Sequence, residues 1–136
     1  MSDVVVDASV WVSRLVTGDV HHARCEIWFR EQAASGGVLA APVFVLAEVA
    51  GAISRRTGQR TLARQAIGLL QKLPSLRLVS LDVPLGSLAA QLAADQPLRG
   101  ADALYVAIAL RLGLPLITLD AEQLRRAEAV ITMISP

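Results

Sequence analysis

The sequence predicts an α/β fold in which a parallel sheet is sandwiched between helices. Short β-branched runs alternate with longer segments of helical periodicity. Several of those runs are apolar without alternation, the pattern of strands buried on both faces. Gly and Pro punctuate the joins.

Taken in order, "VVV" (4–6) is the first strand and "VLAA" (38–41) the second. Pro42 is expected in the first turn of the next helix, where its missing N–H costs nothing, and Gly58 at that helix's end. Residues 59–73 form another helix, with Arg60 and Arg64 one turn apart. "LRLVSL" (76–81) is the third strand, and residues 84–95 return to helix. In the helix over 100–112, Ala101, Leu104, Tyr105, Ile108 and Leu112 make one apolar stripe. Gly113, two residues before Pro115, ends it; "LPLIT" (114–118) and "AVITMI" (129–134) supply the remaining strands.

A chain of 136 residues without linker or repeat is read as a single domain, 1–136. With 54% hydrophobic and 18% charged residues it cannot be a disordered chain. That apolar excess points to surface covered by another chain, a second copy or a different protein. No apolar run reaches the roughly 18 residues that span a bilayer. The start, "MSDVVVDASVW", lacks the pattern of a signal peptide, and the single Cys25 has no internal partner. A soluble protein of the reducing cytosol is expected.

The net charge of +1 conceals an asymmetry. Between residues 49 and 81 there is no acid, against Arg55, Arg56, Arg60, Arg64, Lys72 and Arg77. Twelve of the 13 basic residues are Arg, the better bidentate partner for phosphate. Such a stretch is either a solvated helix face or a nucleic-acid contact.

Four acids fall at informative positions. Asp7 follows "VVV" directly and Asp120 comes two residues after "LPLIT", both at carboxyl ends of strands, where open α/β sheets bind ligands. Asp102 lies in the first turn of its helix, and Glu48 sits inside "APVFVLAEVAGAIS" with apolar neighbours on nearly every helical face. Each has a plain reading alone. Asp7 and Asp120 can cap the following helices, Asp102 can complement a helix dipole, and Glu48 can be half of a buried ion pair with an Arg. Together, converging carboxylates need a cation, and hard oxygen donors suit Mg²⁺ or Mn²⁺. Ions so held activate water and stabilise an oxygen leaving phosphorus. No Walker loop, G-x-G-x-x-G, zinc spacing or activated Cys or Ser appears, and His21 and His22 read as surface or helix-start residues.

"VVVDASV", "LAEV", "GADALYVAIA" and "LITLD" resemble, in order, the motifs of PIN-domain ribonucleases, and more closely VapC-type toxins of bacterial toxin–antitoxin pairs. The resemblance spans essentially the whole chain and implies a three-layer α/β/α sandwich around a parallel sheet. It places the family's four acids on Asp7, Glu48, Asp102 and Asp120. Ser9, two positions after the first acid, and Thr118, two before the fourth, would orient carboxylates or metal-bound water. It implies a Mg²⁺- or Mn²⁺-dependent endoribonuclease leaving a 5′-phosphate and a 3′-hydroxyl, with Arg55, Arg56, Arg60 and Arg64 as candidates for gripping the RNA backbone. A VapB-type antitoxin and a homodimer are the implied partners. The alternative is a PIN-fold RNA-binding or assembly protein with little catalysis, against which stands the completeness of the acid set. A phosphatase or receiver-like protein is disfavoured because position 9 is Ser, not a second Asp.

Overall fold

In the computed structural model, which describes residues 2–136, all five predicted strands form. They are β1 (Val4–Val6), β2 (Leu39–Pro42), β3 (Leu76–Val79), β4 (Leu116–Ile117) and β5 (Met133–Ile134). All pair in parallel in the order β3-β2-β1-β4-β5. Val5 is the hinge of the register, facing Ala40 on one side and Leu116 on the other.

Among the described residues seven helices flank the sheet: α1 (Ala8–Leu15), α2 (His22–Ser35), α3 (Val45–Thr57), α4 (Arg60–Lys72), α5 (Val83–Asp95), α6 (Gly100–Leu112) and α7 (Ala121–Ala127). The chain steps outward from β1 to β2 and then β3, crosses back to β4, and continues to β5. Right-handed crossovers therefore put α1 to α4 on one face and α5 to α7 on the other. Helix contacts agree: α1 packs on α2 and α3, α3 on α4, and α5 on α6, while α6 lies against β1, β2 and β4. The result is the three-layer α/β/α sandwich. No helix among the described residues is long and apolar enough to cross a membrane.

Burial on both faces holds for the inner strands and fails at the edges. β1, β2 and β4 are buried throughout, whereas β3 exposes Arg77 and β5 exposes Ile134. Edge strands have one neighbour fewer, and a charged side chain there discourages pairing with another sheet. Strand ends also pull in: β4 and β5 cover only two residues each, since pairing is limited to Leu116↔Met133 and Ile117↔Ile134.

Pro42 is a correction. It closes β2 opposite Val79, and α3 starts three residues later at Val45. β1 pairs with β2 only as far as Ala40, so the missing proline N–H interrupts no bond on that side. Gly58 and Gly113 end α3 and α6 as expected, with φ of 69° and 67° in the left-handed region that an added Cβ disfavours.

Candidate active site

β1 and β4 are neighbours, yet β1 feeds α1 on one face and β4 feeds α7 on the other. Their carboxyl ends open a crevice at this switch point. Asp7 stands at the end of β1 and Thr118 at the end of β4. Capping and crevice readings hold together here. Asp7 is the N-cap of α1, accepting from the Ser9 amide at 3.1 Å. Asp120 is the N-cap of α7, its Oδ1 accepting from the Glu122 and Gln123 amides at 2.9 and 3.3 Å.

Asp7 is buried, and all its donors converge on Oδ2: the Ser9 amide, the Ser9 hydroxyl at 2.5 Å and the Thr118 hydroxyl at 3.0 Å. Thr118 Oγ1 in turn accepts from the Asp120 amide, and Ser9 Oγ from the Leu119 amide, both at 3.1 Å. The two hydroxyls thus tie the end of β1 to the end of β4 and fix the carboxylate plane. Oδ1 of Asp7 accepts no hydrogen bond from the described residues. Burial raises the Asp7 pKa above the ordinary carboxylate value, with nearby Asp102 adding to the rise and the Ser9 and Thr118 donors opposing it.

Glu48 is half-buried, and the apolar face around it is less closed than the sequence suggests. Phe44, Ala47 and Ala52 share its side of α3 and line an open cleft of about 600 Å³ with it. The partner is not an Arg. The Tyr105 hydroxyl, from α6, donates to Glu48 Oε1 at 2.6 Å, and the Ala8 backbone amide also approaches that phenol oxygen. Burial raises the Glu48 pKa; Tyr105 opposes this, while Asp7 and Asp102 add to it. Tyr105 itself is pushed upward, by burial first and by the Glu48 charge next, so it stays a donor.

Asp102 and Asp120 share a counter-ion that the sequence reading did not single out. Arg99, at the N-cap of α6, donates from Nε to Asp102 Oδ2 and from Nη2 to Asp120 Oδ2, both at 2.8 Å. Its spacing of three residues before Asp102 was the available signal. Gln123, fully buried on α7, lines a second pocket of about 360 Å³ with Arg99, Asp102 and Asp120, and neither end of its amide is hydrogen-bonded among the described residues. Tyr105, hidden in an apolar stripe as the chain's one tyrosine, is the other functional group passed over.

The candidate RNA-contacting arginines divide. Arg55 and Arg56 line the 600 Å³ cleft. Arg60 and Arg64 do not, and lie exposed on α4. Arg56 is tethered by Asp19, whose Oδ2 it meets at 2.5 Å. Ser13 and the His21 amide donate to the other Asp19 oxygen at 2.7 and 2.8 Å. Burial works against the Asp19 charge, but these donors and Arg56 outweigh it and lower its pKa to about 2. Arg55, Arg60 and Arg64 have no acidic partner among the described residues. His21 is the N-cap of α2 and His22 begins it, as expected of helix-start residues.

The four acids are brought to one crevice but not onto one point. Among the described residues no three Asp, Glu, His or Cys side chains are grouped so as to hold a single ion. Each carboxylate has a protein partner: Asp7 the Ser9 and Thr118 hydroxyls, Glu48 the Tyr105 phenol, and Asp102 and Asp120 the shared Arg99. The donor set still fits a hard divalent cation. Asp7 Oδ1, Glu48 Oε2 and Asp102 Oδ1 accept nothing from the described residues, and the mutual repulsion of these acids is the kind a cation relieves.

A PIN-domain family profile matches residues 4–129. No match is found among curated proteins. Among solved structures the chain is similar to VapC20 of Mycobacterium tuberculosis, described as a sarcin-ricin loop cleaving toxin. The identity is 20%, covering 98% of this chain and 100% of that one, with a TM-score of 0.80. It is similar to VapBC2 from Rickettsia felis bound to a promoter DNA fragment, at 13% identity, 97% of each chain and TM-score 0.71. PAE2754 from Pyrobaculum aerophilum is 25% identical, over 96% of this chain and 90% of that one, with TM-score 0.64.

Proposed function

The chain belongs to the PIN-domain family, and from this premise we propose that it is the endoribonuclease toxin of a type II toxin–antitoxin pair. The observation that carries the reading is the gathering of Asp7, Glu48 and Asp102 at the carboxyl end of β1, each with an oxygen that accepts from no donor among the described residues. Those oxygens, with Asp120, are the ones that would hold Mg²⁺ or Mn²⁺. When bound there, the ion supplies Lewis-acid activation of water and charge stabilisation at the scissile phosphate.

The chain's own residues do the rest. Ser9 and Thr118 aim Asp7 by saturating its Oδ2. Tyr105 aims Glu48 in the same way from the opposite layer. Arg55 and Arg56 border the cleft beside these acids, and Arg60 and Arg64 extend the positive strip along α4, where phosphate contacts position an RNA strand without reading its bases. Cleavage is expected to leave a 5′-phosphate and a 3′-hydroxyl.

The same reading makes this a single-domain cytoplasmic homodimer with a VapB-type antitoxin partner, and of these the antitoxin partner is supported by the likeness in fold to VapBC2 from Rickettsia felis. Purified protein incubated with RNA and Mg²⁺ tests the central claim. Cleavage that stops with a chelator and is lost in Asp102→Asn supports it. Mn²⁺ binding without cleavage of any RNA would favour the binding-protein reading instead, and parental cleavage by Asp102→Asn would sink the catalytic assignment.

A further inference from the structure

Arg99 touches two of the four acids. Its fork is spent on Oδ2 of Asp102 and Oδ2 of Asp120, at 2.8 Å each. The side chain is 73% exposed, so the carboxylates hold it there more than packing does. The other oxygen of Asp120 is occupied by the first amides of α7. The oxygen under Arg99 is thus the one Asp120 has left to offer any ligand.

A divalent cation drawn to this crevice can reach Asp102 through Oδ1, but at Asp120 it needs the oxygen that the guanidinium holds, and it carries the same sign. Arginine cannot yield by losing a proton, because it stays charged at any pH a protein survives. It must move. We propose that Arg99 is the resident counter-ion of the site and that metal entry is an exchange, the guanidinium giving up Asp120 Oδ2 to the ion as it swings away on its exposed stem. This rests on the metal-site reading above and adds its regulation: the protein's affinity for the ion is set below what its acids alone would give.

Calorimetric titration of Mn²⁺ into metal-stripped protein tests this, comparing the parent with Arg99→Gln and with Arg30→Gln. Arg30 is as exposed, at 74%, and among the described residues meets Glu26 alone, at 3.8 Å, so it controls for loss of one positive charge. Arg99→Gln is expected to bind Mn²⁺ about three- to fivefold more tightly, the scale of a displaced exposed ion pair, and the gain should shrink at high salt. Its melting temperature without metal should fall below the parent's, as Asp102 and Asp120 lose their neutraliser, and recover on adding Mn²⁺. Equal or weaker Mn²⁺ binding by Arg99→Gln, or equal tightening by Arg30→Gln, overturns the exchange and leaves the metal site standing. A parent that binds no Mn²⁺ overturns both.

Discussion

The phenol of Tyr105 and the carboxylate of Glu48 meet at 2.6 Å over the carboxyl end of β1, joining a helix of one layer to a helix of the other. This contact answers how an acid is tolerated on a mostly apolar helix face. It also makes Tyr105 the side chain that decides where Glu48 points.

Tyr105→Phe leaves the half-buried Glu48 without its donor, which costs about 1–3 kcal/mol of stability at neutral pH. Urea denaturation in the presence of a chelator measures that loss. RNA cleavage should fall as well, by about tenfold, because the carboxylate is no longer aimed. A variant as stable and as active as the parent would show that Glu48 needs no help.

Glu48→Gln acts oppositely on the metal-free fold. The amide oxygen still accepts from Tyr105, while the repulsion from Asp7 and Asp102 is gone. Stability should hold or rise, and Mn²⁺ affinity and cleavage should drop together. Thermal melts paired with calorimetry read both; a large loss of stability without metal would contradict the acid–acid repulsion assigned here.

Asp7 gives the metal-free protein a pH signature. Its folded pKa lies above the ordinary carboxylate value, so the folded state binds the proton more tightly than the unfolded chain does. That contribution is fully present below the unfolded pKa and is lost as pH rises through the folded one. Stability in chelator should therefore increase as pH is lowered from neutral toward the ordinary carboxylate range, and Asp7→Asn should flatten the rise. Asp19 behaves inversely: its folded pKa of about 2 stabilises above the unfolded value and is lost only as pH falls toward 2, below this window.

Arg60→Gln and Arg64→Gln should each weaken RNA binding with little change in stability, since neither residue has an acidic partner among the described residues. Each should also reduce the slope of log K against log salt by about one. Filter binding across a salt series with an Asp102→Asn background checks this; unchanged slopes would return α4 to the role of a solvated face.

Most of the fold was legible because its signals are local. "VVV" and "LPLIT" are apolar on both faces, and Gly58 and Gly113 mark helix ends by their own backbone freedom. Pro42 was misplaced because a proline at a strand's last residue and one in a helix's first turn leave the same local trace. The acids were legible as types at positions, but their partners were not. Tyr105 and Glu48 are 57 residues apart, and only the meeting of α3 and α6 reveals them as a pair. Arg99 was visible beside Asp102 but not as the bridge to Asp120, 21 residues on.

The hydroxyl mesh around Asp7 spans 111 residues of chain, from Asp7 to Thr118. During synthesis the first acid emerges early and waits, with neither β4 beside β1 nor the threonine that orients it. A ribosome carrying a half-made copy therefore carries no assembled crevice. The crevice can assemble only once Thr118 has emerged and β4 has joined β1, so the first acid gains its orientation late, from a residue 111 positions further along the chain.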